Sequence, residues 1–245
     1  MNKMRKIAPL LLAALFWPLA CFAAISQDTF GNYSDTSGTT NTATITIAGT
    51  NRYAVGLVAA YSCGGGVQGN VSTFTADGNT LTLLEKQVYD LGGGCFSNSE
   101  IWGIVAPPTG STDFVVTYDR SMNSIIGTVV SLNGVKQTGQ PDAAVDTTAD
   151  PTMCTDPVLT NIVTDSVGAW IFDVLYPSGG TVGAPGAGQT EYFTGLTSRK
   201  VGTTATTYAM TWAFTGCNAG LHPMVSIAEA TVPPSPSQMG GVIDA

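Results

Sequence analysis

Histidine occurs once in the 245 residues, at His222, and glutamate only four times, at Glu85, Glu100, Glu191 and Glu229. These scarcities exclude most catalytic constellations. A zinc centre needs several His or Cys ligands, and a Ser-His-Asp site would rest wholly on His222, which stands beside Pro223 at a strand start. No Gly-x-Ser-x-Gly turn is present to raise a nucleophile, and no glycine run carries the lysine of a phosphate-binding loop. Charge is equally thin, at 11% of residues, and apolar residues at helical spacing occur only near the N-terminus. An all-helical fold and a resident cofactor are not expected.

What is present is glycine, 29 residues of it, with abundant Thr and Ser, a balance that suits strands and tight turns. Residues 1–23 read as a signal peptide. Lys3, Arg5 and Lys6 form a basic start, residues 7–16 an apolar centre, and Cys21-Phe22-Ala23 a small-residue exit. The apolar run is shorter than the ~20 residues a spanning helix needs, and no later stretch reaches that length. Leu19-Ala20-Cys21 also fits a lipoprotein signal, although Pro18 stands where such signals prefer an aliphatic residue. Cleavage after Ala23 leaves six basic residues against 17 acidic ones, a net charge of −11. Such a surface repels phosphate backbones, so nucleic acid is not an expected partner.

Residues 100–135 contain three β-rich runs, each closed by Gly, Pro, Asn or Asp. The first stops at Pro107-Pro108, where a missing N–H ends pairing. Phe114, Val116 and Tyr118 then share one face at period two, and the third run ends at Asn133-Gly134, a positive-φ turn signal. Earlier, residues 42–48 alternate Thr with apolar residues, and residues 53–61 are apolar on both faces. Residues 71–75 and 81–88 form a hairpin about Asp77-Gly78-Asn79. Residues 177–188 read as a Gly/Pro loop and residues 233–245 as a Pro/Gly-rich tail. ATITIAGTNRYAVGLVAAY and VLTNIVTDSVGAWIFDVLY echo one another: an alternating strand, a polar turn, a mostly apolar strand. About a dozen short strands predict an all-β, antiparallel two-sheet β-sandwich, jelly-roll-like, as one domain over residues 24–232.

A resemblance rests on TNRYAVGLVAAY, NTLTLL, EIWGIVAPPTGSTDFVVTY, SIIGTVVSLNGVKQT, VGAWIFDVLY and GAPGAGQTEYF, in that order. Together they resemble a recurrent bacterial β-sandwich module found in exported, cell-surface and phage-associated proteins. The strongest marks are Trp102 followed by Ala106-Pro107-Pro108-Thr109-Gly110, then Leu132-Asn133-Gly134-Val135. The likeness spans about residues 42–232. It implies a fold and carries no catalytic residues; the cysteine pairs look particular to this chain.

Four cysteines remain after the leader, Cys63, Cys95, Cys154 and Cys217, and an even count behind an export signal reads as two disulfides. Three connectivities are possible. Cys63 follows one strand and Cys95 precedes another with two strands between, so alternating directions bring both to one sheet end; Cys63–Cys95 and Cys154–Cys217 are expected. Asp142, Asp146, Asp150 and Asp156 fall in one segment and form a candidate Ca²⁺ loop, though their spacing matches no EF-hand. Glu100 and Trp102 share a strand face, the acid-beside-aromatic pairing of sugar hydrolysis. The plainer reading puts Glu100 at an edge facing water and Trp102 in the core. Asp173, inside an apolar run, must face solvent, meet a cation such as Arg199 or Lys200, or be hydrogen-bonded.

The functional expectation is a secreted or cell-surface, non-enzymatic module of attachment, adhesion or extracellular assembly, with glycan binding as one mode. Candidate contacts are Tyr61 and Tyr89 for stacking and Gln68 and Asn70 for hydrogen bonds, on glycine loops tied by Cys63–Cys95. The alternative is a jelly-roll glycoside hydrolase or lyase acting on an extracellular polysaccharide.

Overall fold

The computed structural model describes residues 24–145, 158–178, 180–216 and 219–230; residues 1–23, Cys154, Cys217, Asp146, Asp150, Asp156 and residues 233–245 lie outside the described residues. Nine strands build the first half: β1 (Ser26–Asp35), β2 (Gly38–Ile47), β3 (Tyr53–Cys63), β4 (Val71–Ala76), β5 (Asn79–Thr80), β6 (Thr82–Gly92), β7 (Cys95–Val105), β8 (Gly110–Met122) and β9 (Ser124–Asn133). They pair in two antiparallel sheets, ordered β1-β9-β3-β7-β6 and β2-β8-β4-β5. The chain passes back and forth between the sheets as it winds, which is how a jelly roll is made. Turn chemistry fixes the corners: Asp77 and Gly78 both take positive φ between β4 and β5, as the Asp-Gly signal requires.

The second half repeats the winding. Its strands are β10 (Ala143–Val145), β11 (Val158–Val163), β12 (Trp170–Val174), β13 (Tyr176–Ser178), β14 (Thr181–Pro185), β15 (Gln189–Phe193), β16 (Thr197–Val201), β17 (Thr207–Thr215), β18 (Ala219–Leu221) and β19 (Met224–Ile227). One sheet runs β10-β19-β12-β16-β15 and the other β11-β17-β14, with β13-β18 as a separate pair. The first order matches β1-β9-β3-β7-β6 strand for strand, and the second matches β2-β8-β4. The echo in the sequence is therefore a repeated topology, with Tyr61 and Tyr176 as counterparts. Residues 177–188 are a correction: residues 181–185 of that Gly/Pro segment form strand β14, whose Gly183 lies against Ala213 of β17.

The two inner sheets pack face to face, giving three apolar layers among four sheets. Phe74, Phe114 and Ile125 fill the first core. Val55, Leu57, Trp170 and Phe172 fill the layer between the halves. Ile162, Ile171, Met210 and Trp212 lie in the second half's own core. This explains why β3 is apolar on both faces: both are covered. Tyr61 stacks on its counterpart Tyr176, centroids 6.5 Å apart and rings 12° from parallel. The all-β, antiparallel, jelly-roll-like sandwich expected from the sequence is what forms, and it forms twice.

Candidate functional site

Cys63 and Cys95 are directly opposed in the β3–β7 ladder and are joined by a disulfide. The bond ties the glycine turns beyond each strand, and Gly64 N–H donates to the Gly94 carbonyl at 3.3 Å. Tyr61 and Tyr89 both face Ser97, one from each side of β7. The Tyr61 hydroxyl bonds Cys63 Sγ and its ring is engaged by Tyr176. Asn70 receives the Lys86 ammonium at 3.0 Å and the Gln68 amide at 2.9 Å, and is held by Asp119. Lys86 faces Glu100, one residue out of phase with Ser97, so Asn70 belongs to the opposite face of the sheet. The structure therefore groups Tyr61 with Tyr89 and Gln68 with Asn70, and separates the two pairs.

Asp142 is engaged by backbone and hydroxyl donors. Its carboxylate accepts from Asp165 N–H (3.0 Å), Ser166 N–H (3.1 Å), Ser166 Oγ (2.6 Å) and Ser226 Oγ (3.3 Å). It clasps the turn between β11 and β12. Among the described residues no three His, Cys, Asp or Glu side chains are grouped as metal ligands.

Glu100 requires a correction. It lies on β7, between β3 and β6, so it is not at an edge, and it is 0% exposed. Lys86 Nζ stands 2.9 Å from Oε1, Trp102 Nε1 donates to Oε2 at 2.9 Å, and Asn98 Nδ2 approaches at 3.4 Å. Burial raises the Glu100 pKa above the ordinary carboxylate value, opposed by the Lys86 charge and by these hydrogen bonds. Trp102 does pack on the core, against Phe74.

Asp173 is also sealed, and its partners differ from those expected. Ser198 donates through N–H (2.8 Å) and Oγ (2.7 Å), Trp212 Nε1 donates at 2.8 Å, and His222 Nε2 lies at 2.9 Å. Arg199 instead covers the Trp170 ring, and Lys200 donates to the Ala209 carbonyl. His222 Nδ1 meets Thr160 Oγ1 at 2.9 Å. A hydroxyl, an imidazole and a carboxylate are thus aligned, and all three are buried in the second core. By the echo, Thr160 and Asp173 stand where the first half has Ile45 and Val58, so the cluster replaces an apolar patch. Sequence reading flagged His222 and Asp173 separately; only the β12–β19 register joins them.

One cleft of about 350 Å³ opens beside the inner sheet of the first half, where the connection to the second half passes over β6 and β7. Its floor is Tyr53, whose ring reaches across β7 above Gly103; any side chain at 103 would collide with the Tyr53 hydroxyl. Thr80, Thr82 and Leu84 form one wall and residues 137–140 the other. Gln137 is anchored by its amide N–H groups, donated to the carbonyls of Val135 (2.8 Å) and Arg52 (3.2 Å). Most of these residues fall in the segments that carry the resemblance, but none was a candidate contact; Tyr53 read as strand core and residues 137–140 as connection. No family model, no curated protein and no solved structure matches this chain.

Proposed function

We propose that this protein is an exported, non-enzymatic module of the cell surface or extracellular space, acting by non-covalent recognition in attachment, adhesion or assembly. The observation that carries the reading is the fate of the two carboxylates singled out for chemistry. Glu100 and Asp173 lie in different cores, each fully buried and each neutralised or hydrogen-bonded by its own half. Glycoside hydrolysis needs two carboxyls about 5–9 Å apart across an open cleft, and these two do not share one. The glycine turns at the sheet end, in contrast, are held by a disulfide, which lowers the ordering cost of binding there. Among the described residues no helix is long and apolar enough to cross a membrane. The likeness to exported modules and the leader pattern of residues 1–23 support the location.

The test expresses the full chain in a bacterial host and recovers the exported form. Mass spectrometry is expected to find Ala24 at its N-terminus, and the labelled protein to bind cells or polysaccharide saturably without releasing sugars. Lipid on Cys21 would replace secretion with anchoring, and soluble products released from polysaccharide would refute the non-enzymatic reading.

A further inference from the structure

The cleft over Tyr53 has two properties that a mere packing fault lacks. First, Tyr53 is only 2% exposed, and among the described residues its hydroxyl makes no hydrogen bond, although the oxygen itself is not sealed from the cleft. It lies beside Gly103, in the lining of the cleft, where a ligand can reach it. Burial raises its pKa, so it stays protonated and able to donate. Second, the remaining lining is neutral throughout. Thr80, Thr82 and Thr138 bring hydroxyls, Gln137 brings an amide oxygen left over after its N–H groups are anchored, and Leu84 and Val105 bring aliphatic surface.

We infer that this cleft binds a short neutral saccharide, with the Tyr53 hydroxyl and the Gln137 amide oxygen meeting sugar hydroxyls and Leu84 and Val105 meeting the C–H face of the ring. The inference rests on the recognition reading above and names its ligand class and its place. Charged ligands are disfavoured because no lining residue offers a counter-charge, and desolvating an ion without one is expensive. A purely apolar ligand would leave the Tyr53 hydroxyl without a partner. The volume of about 350 Å³ lies at the small end of ligand sites, enough for about one or two sugar rings. With no aromatic platform in the lining other than the buried Tyr53, affinity is weak for one ring and is gained by repetition along a polymer.

The experiment titrates the purified protein with maltose, cellobiose, lactose and N,N′-diacetylchitobiose, using ligand-observed NMR, with a glucuronic-acid disaccharide as the charged control. At least one neutral disaccharide is expected to bind saturably and the charged one not. Tyr53→Phe is expected to weaken that binding about 5-fold by removing one buried hydrogen bond. Thr82→Trp, at an exposed strand position, is expected to abolish it by filling the cleft while leaving the melting temperature within about 2 °C of the parent. Binding to whole cells, measured in parallel, separates the two readings. Cell binding that persists in Thr82→Trp, with no neutral disaccharide bound by the parent, overturns this site and leaves the recognition reading standing. Loss of both overturns both. Disaccharide binding unchanged in Tyr53→Phe and Thr82→Trp also overturns the site.

Discussion

At the residue scale, two buried carboxylates dominate the energetics. Glu100 sits above its ordinary pKa because burial outweighs Lys86 and the hydrogen bonds. A raised acid favours the protonated form in the fold. Its stabilising contribution is complete below the unfolded value of 4.5 and is lost as pH rises through the higher folded value. Glu100→Gln is therefore expected to flatten the stability profile from about pH 4.5 upward, as read by urea denaturation at stepped pH. Lys86→Met leaves an unpaired buried charge and is expected to cost about 3 kcal/mol at pH 7, with much of that restored in the Lys86→Met/Glu100→Gln double variant. Asp173 accepts from three donors, Ser198 N–H and Oγ and Trp212 Nε1, and lies against the His222 ring. Asp173→Ala leaves the three donors without this acceptor in a buried core and is expected to cost about 3 kcal/mol or more. A smaller loss, under about 1 kcal/mol, would mean that water enters the second core.

Strand irregularities place those groups. In the β6–β7 pairing Leu83 faces Trp102, and without a bulge Glu85 would face Glu100. A bulge between Leu83 and Glu85 adds one residue, so Lys86 faces Glu100 instead, and like charges become an ion pair. In the second half the β12–β19 ladder stops at Asp173 and Met224, then resumes in the same register as β13–β18 at Tyr176 and Leu221. The gap contains Pro223, which has no N–H to donate, and His222 beside it turns into the core to reach Asp173 and Thr160. The disulfide acts on the same scale. Cys63 and Cys95 are separated by 32 residues, and replacing both with Ser is expected to lower stability by about 2–4 kcal/mol through a less restricted unfolded chain. Non-reducing peptide mapping checks the pairing, and a Cys63 linkage to Cys154 or Cys217 would contradict it.

At the scale of the molecule, the layer between the halves decides how the chain unfolds. Trp170, Phe172 and Val174 of β12 pack against β3, β7 and β9 of the first half, so neither inner sheet is covered without the other. Calorimetry is expected to show one cooperative transition. Two resolved transitions would mean that the halves are independent. Phe172 is fully buried in this layer, and Phe172→Ala is expected to cost about 3–5 kcal/mol by leaving a cavity while keeping a single transition. Counterpart residues Tyr61 and Tyr176 meet across the layer, as residues do across a two-fold interface.

The sequence alone determined what short-range physics encodes. Period-two alternation marked the strands, Asp77-Gly78 and Asn133-Gly134 marked turns, and alternating strand direction paired Cys63 with Cys95. The echo ending at Tyr61 and Tyr176 showed a shared hairpin pattern, because hairpin patterns are local; strand pairing decided that the whole winding repeats. Tertiary structure decided everything that depends on register between distant segments. The apolar outer face of β3 announced a cover, but only packing showed the cover to be the second half. One bulge exchanged Glu85 for Lys86 opposite Glu100. The cleft exists because the chain after β9 is drawn over Tyr53, with Lys136 N–H bonded to the Ala228 carbonyl at 3.0 Å. Residues 53, 82 and 137 are remote in the chain, and no local pattern records that they meet.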